Sequence, residues 1–147
     1  MPEETPGTPP PTDAAPAVVR RAVEVEARPE EVWHAVADPD ERALWLDDPD
    51  AAARTLRVDE VVAPERLVWT WWRDDDGGDA STVSVVLTPL DDGGTRVEVT
   101  EVRLAAPRAP VGAPARGPGW ARCALDRWDR RLLGLELLFV AARAGVA

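Results

Sequence analysis

Two carboxylates interrupt apolar patterns and could do acid–base chemistry. In "TRVEVTEVRL" (95–104), Glu101 continues the alternation of Val97 and Val99, which puts it on the same strand face as those valines. In "LLGLELLFVAA" (132–142), Glu136 lies about 60° from the centre of a helix's apolar stripe. A carboxylate lining an apolar cavity has a raised pKa and can serve as a general acid or base. The plainer alternative pairs Glu101 with Arg103 or Arg96 near the sheet end and lets Glu136 reach water. His34, the one histidine, falls opposite Val32 and Val36 on a helical wheel and so faces solvent. Cys123, the one cysteine, lies off the main stripe of its helix with no histidine nearby in sequence, which argues against a catalytic thiol and excludes an internal disulfide. No His/Cys/Asp cluster has metal-ligand spacing, so neither a metal nor another cofactor is expected. "DDDGGD" and "DDGG" are not followed by helices, so they read as hairpin turns rather than phosphate loops.

Binding chemistry is suggested by "PERLVWTWW" (64–72), which holds three of the seven tryptophans in a chain with no tyrosine and one phenylalanine. As a strand it divides in two: Leu67, Trp69, Trp71 and Arg73 share one face, Val68, Thr70 and Trp72 the other. Inward-facing Trp69 and Trp71 are either plain core or the wall of a pocket, since aromatic-lined concavities take small apolar ligands. They would meet Val83, Val85 and Leu87 across a hairpin and Trp128 from a helix. Trp72 faces outward, where a cross-strand neighbour stacks against it.

These groups need elements to position them. "VVRRAVEVEA" (18–27) alternates as a strand, with Val19, Val23, Val25 and Ala27 on one face. "RPEEVWHAVA" reads as a helix with Pro29 in its first turn and Val32, Trp33 and Val36 on its apolar face. "DPDERALWL" starts a second short helix, with Asp38 as cap, Pro39 at the first position, Glu41 at capping-box spacing, and Leu44 and Trp45 inward. Four strands follow, at 54–62, 66–73, 81–89 and 95–104, and their short loops force antiparallel neighbours. In the last segment Ala121, Leu125, Trp128, Leu132, Leu135 and Phe139 recur at helical spacing, giving a helix of about 26 residues, roughly 39 Å long. A half-apolar sheet needs a cover, and this helix is the long amphipathic element available. The outer flank of the helix carries Arg122, Asp126, Asp129 and Arg130 early, then Leu133, Leu137 and Val140. That second apolar face implies a second packing partner: the Ala/Pro loop at 105–115, another protomer, or a client protein.

Composition bounds the rest. A chain of 147 residues suits one domain that buries roughly 70% of its unfolded surface. The net charge of −10 comes from 17 basic residues, all arginine, against 27 acidic ones, which disfavours nucleic acid and anionic membrane as partners. Residues 1–16 hold six prolines and three acids and are expected to form a disordered tail, leaving a single domain over 17–147. No signal peptide or membrane span is apparent, so the expected location is the cytoplasm.

Taken in order, "RPEEVW", "PERLVWTW" and "GGTRVEVT", with "GWARCALDRWDRRLLG" after them, resemble the START-like SRPBCC superfamily. Within it, the likeness is to the branch named after the C-terminal domain of the activator of Hsp90 ATPase, and it runs over about residues 18–140. The resemblance implies an α+β helix-grip fold: one strand, two short helices, an antiparallel meander and a long C-terminal helix on a curved sheet. It also implies a hydrophobic cavity between sheet and helix, in which relatives bind lipids, hormones or polyketides; a few cyclise or dehydrate them, and some contact a chaperone. On this chain the cavity residues would be Trp33, Trp45, Trp69, Trp71, Val85, Leu87, Val99, Leu125, Trp128 and Leu132. Relatives usually carry an extra hairpin before "PERL"; here only "DDPDAAA" (47–53) fills that place, so the sheet should have about five strands and the cavity be smaller or more open. The expected function is non-catalytic binding of a small hydrophobic molecule. The alternatives are a polyketide cyclase- or dehydratase-like enzyme using Glu101 or Glu136, and a chaperone-associated or other interaction domain, or a homodimer, using Leu133, Leu137 and Val140.

Overall fold

The computed structural model describes residues 18–73, 80–104 and 119–144. The proline-rich tail and the 105–115 loop therefore lie outside the described residues. The elements in chain order are β1 (Val18–Val25), α1 (Pro29–Ala37), α2 (Pro39–Trp45), α3 (Pro49–Ala52), β2 (Arg54–Val62), β3 (Arg66–Arg73), β4 (Ser81–Pro89), β5 (Thr95–Arg103) and α4 (Gly119–Ala144). The strands form one antiparallel sheet in the order β1-β5-β4-β3-β2, and α4 runs along β1 over its inner face. This is the helix-grip arrangement.

Local chemistry explains the short helices. Asp38 accepts hydrogen bonds from the amides of Asp40 (2.8 Å) and Glu41 (3.1 Å) at the start of α2, and Pro39 supplies a preset first turn. The same Asp-Pro-Asp signal recurs at Asp48–Asp50. There Asp48 accepts from the Ala51 amide at 2.9 Å and starts α3, a one-turn helix in the short segment that stands in place of the relatives' extra hairpin. At α1 the Glu31 carboxylate reaches back to the Arg28 amide (3.1 Å).

The core follows strand alternation: Leu67, Trp69 and Trp71 on β3, Val83, Val85 and Leu87 on β4, Val97 and Val99 on β5. Val32, Ala35, Val36 and Trp45 close one side, and Ala124, Trp128, Leu132 and Leu135 of α4 cover the rest. Two expectations change. Leu44 is 59% exposed, because the two-turn helix α2 seats Arg42 and Trp45 inward instead. Trp45 Nε1 donates to the Ala35 carbonyl (2.9 Å), and the Arg42 guanidinium donates to the carbonyls of Val36 (3.1 Å) and Ala37 (3.2 Å), the negative end of α1. On α4, Ala121 sits at the margin, while Ala124 and Arg131 join the buried stripe.

The β4–β5 turn contains the sharpest backbone requirement. Gly93 has φ +89°, and a Cβ on Gly94 would lie 2.8 Å from the Val25 carbonyl oxygen on β1. Gly94→Ala is therefore expected to push the turn off β1 and destabilise the fold by roughly 1–3 kcal/mol, read as a lower urea midpoint at unchanged m-value.

Candidate functional site

Glu101 is 4% exposed and holds a buried polar hub. Strand alternation aims it inward from β5, and three donors converge on it. Trp128 Nε1 of α4 donates to Oε1 at 2.8 Å, Trp71 Nε1 of β3 donates to Oε2 at 3.1 Å, and the Ser81 hydroxyl of β4 donates to Oε2. Trp71 Nε1 also reaches the Ser81 oxygen at 2.9 Å. The two indoles stack with centroids 6.2 Å apart, and Trp69 meets Trp71 edge-on at 5.7 Å.

A layer of arginines covers these rings. The Arg131 guanidinium lies 4.8 Å from the Trp128 centroid and 5.2 Å from that of Trp71, and Arg54 lies 5.2 Å from Trp71. Their charges are answered by α3. Arg131 grips Asp48 through Nε (2.6 Å) and a terminal nitrogen (2.9 Å), a two-pronged pair. Asp50 takes Arg54 at 3.0 Å, Arg73 and Arg131 at 3.2 Å, and Arg127 at 3.5 Å. Burial pushes the Asp50 carboxyl up, but the Arg54 hydrogen bond and the charges of Arg54, Arg127 and Arg131 outweigh it, so it sits below the usual carboxylate range. Asp48 is lowered in the same way, its burial outweighed by Arg131 and the Ala51 amide. The Arg131 guanidinium, lowered by burial, is raised further by Asp48 and Asp50. The hub ties β2, β3, β4, β5, α3 and α4 together.

The ten residues expected on a cavity wall pack in or against the core. Trp45, Trp69, Trp71, Val85, Leu87, Val99, Trp128 and Leu132 are buried, and Trp33 and Leu125 pack partly buried on the cluster. The stacked indoles, with the arginines over them, pack beneath the first half of α4. Two grooves lie away from these rings. A groove of about 710 Å³ opens where the second half of α4 passes the end of β1, the β4–β5 turn and the start of α1. On the β5 side its nearest lining residue, Gly94, is seven residues before Glu101, roughly 23 Å at the rise of a strand. Val25, Ala27, Leu90, Phe139 and Val140 give it apolar surface, with Thr95 Oγ1 pinning the Ala27 carbonyl at 2.8 Å. Of the two candidate carboxylates, Glu136 lines this groove and Glu101 does not. A second groove of about 640 Å³, between the β2–β3 turn, the end of β4 and Pro29, includes Leu87. Leu87 is the one cavity residue among the ten that lines either groove.

Comparison with known proteins now decides the family. The model of the family described as Activator of Hsp90 ATPase homolog 1-like protein matches residues 47–132, more than half of the chain. The chain belongs to this family. The matched span runs from α3 into α4 and contains every member of the Glu101 hub, so this Activator of Hsp90 ATPase homolog 1-like domain carries its hub inside the family region. Solved structures share its fold at low identity. An Hsp90 activator from Plasmodium falciparum matches with TM-score 0.62 and 17% identity, over 83% of this chain and 95% of that one. DynU16, a protein in the dynemicin biosynthetic locus, gives 0.63 and 24%, over 82% of this chain and 46% of that one. A Chromobacterium violaceum protein gives 0.57 and 20%, over 84% and 96%. Comparison with curated protein sequences finds no significant match.

Sequence reading singled out Glu101, Trp71 and Trp128 but missed their coupling, and it missed Asp48, Asp50, Arg54 and Arg131 altogether. The repeated Asp-Pro-Asp signal could have located the two aspartates. Arg131 gave no signal, since an arginine beside an apolar stripe normally extends to water. His34 and Cys123 are exposed, and no described helix is long and apolar enough to cross a membrane.

Proposed function

We propose that this Activator of Hsp90 ATPase homolog 1-like domain is a non-catalytic binding module for a small hydrophobic molecule, seated in the groove between α4 and the end of β1. The supporting observation is the groove: about 710 Å³, within the range of small-molecule sites, with apolar surface from Val25, Leu90, Phe139 and Val140. The indole cluster serves as the packed floor of the grip in this reading. Of the two candidate carboxylates, Glu136 faces the groove, whereas the oxygens of Glu101 are taken by three donors. The test is titration with Nile red, a neutral apolar dye. Wild-type protein should enhance its emission with a saturable midpoint, and Phe139→Ser should weaken binding about tenfold, the loss expected for part of a buried phenyl ring. Absence of any saturable enhancement would overturn the reading.

A second reading, protein contact, is favoured by the exposed stripe of Leu133 (53%), Leu137 (52%) and Val140 (54%) on α4. The Plasmodium neighbour's description as an Hsp90 activator points the same way. Sedimentation of the wild type against Leu137→Glu separates the occupants: a concentration-dependent dimer abolished by the substitution identifies a second copy, and a monomer at all concentrations excludes one.

A further inference from the structure

The charge around the groove is lopsided, and this has chemical consequences for what enters it. Glu31, Asp92 and Glu136 line it, and Arg28 is the one guanidinium among the described lining residues. Glu24 and Glu26 line it as well, Glu24 standing in register opposite Arg96, which is not a lining residue. Even with those two set aside, three carboxylates stand against one cation. Two of the three are fixed in place: Asp92 accepts the Gly94 amide at 2.9 Å, and Glu31 accepts the Arg28 amide at 3.1 Å. Glu136 is half-buried on α4, one helical turn before the groove's apolar Phe139 and Val140. Apolar surface with a carboxylate rim fits a molecule with an apolar body and a positive head, and it repels a fatty acid or other anionic amphiphile. We infer that the groove's ligand is a cationic amphiphile, an apolar chain or ring bearing a protonated amine, with its ammonium held by Glu136, Asp92 and Glu31.

This inference rests on the groove being the binding site, and the test separates the two claims. Octylamine, octanol and octanoate, matched in chain length, compete for Nile red on the full-length protein at low salt. Octylamine should displace the dye at a concentration about tenfold lower than octanol, and octanoate should be weakest. The amine's advantage should shrink about threefold or more in 0.5 M NaCl, where screening acts over roughly 4 Å. Glu136→Gln should lower amine affinity at least about threefold and leave octanol unchanged. Equal displacement by amine and alcohol, or octanoate binding best, would overturn the cationic assignment while leaving the groove as an apolar site. If Nile red binds and none of the three displaces it, the cationic assignment fails as well. If Nile red does not bind at all, the site itself is wrong and both claims fall.

Discussion

Replacing Glu101 with alanine is expected to lower the stability of the domain by about 3–5 kcal/mol, with a melting temperature roughly 10–15 °C below wild type. The carboxylate is 4% exposed, so no water stands ready to replace it. Trp128 Nε1 then loses its acceptor at 2.8 Å, whereas Trp71 Nε1 keeps the Ser81 oxygen at 2.9 Å. An orphaned buried donor costs about 1–3 kcal/mol, and the cavity left by the deleted side chain adds to that. Glu101→Gln retains the shape and one acceptor oxygen, so it should cost about half as much. Near-ultraviolet circular dichroism of the stacked indoles should follow the melt. If Glu101→Ala melts within about 3 °C of wild type, the hub does not hold helix to sheet.

The second large effect concerns Asp50. It is within 3.5 Å of four guanidiniums, and the side chains of Arg54 and Arg131 are each only 2% exposed. Asp50→Ala removes the carboxylate they share, leaving Arg131 its pair with Asp48, and is expected to destabilise by about 2–4 kcal/mol, since a buried charge that loses a partner is costly. The direction with pH follows from the lowered carboxyls of Asp48 and Asp50. A group whose folded pKa is depressed contributes stability that is fully present above its unfolded value, about 4, and is lost as pH falls through the lower folded value. The domain should therefore hold its urea midpoint from neutral pH down to about pH 5 and lose it steeply below about pH 4. Asp50→Asn should start less stable and lose less in acid. A variant with a slope as steep as wild type would mean that Asp50 does not carry the acid transition.

The architecture was legible because its signals are local. Alternation over 66–73, 81–89 and 95–103, with Gly-rich turns between, leaves one meander, and the apolar spacing of α4 supplies its cover. The inward placement of Glu101 came from the same alternation. What alternation could not give is which donors meet Glu101, because Trp71, Ser81 and Trp128 come from three elements brought together by the tertiary fold. Nor could it say whether the space under α4 is hollow. Stacked, buried indoles pack under the first half of the helix, and among the described residues a groove opens near Phe139, lined also by the end of β1 and the β4–β5 turn. The position of Leu44 was misjudged for a related reason: a two-turn helix has room for few inward positions, and Arg42 took one by bonding to the end of α1.

The claim that binding occurs in the open end of the grip, and not among the indoles, is tested most directly by ¹H–¹⁵N spectra during titration with octylamine. Backbone amides of Ala27, Gly94, Phe139 and Val140 should shift progressively, while the indole N–H signals of Trp69, Trp71 and Trp128 stay in place. Indole signals moving at the lowest ligand concentrations, with the groove amides unmoved, would place the ligand inside the tryptophan core and contradict the account.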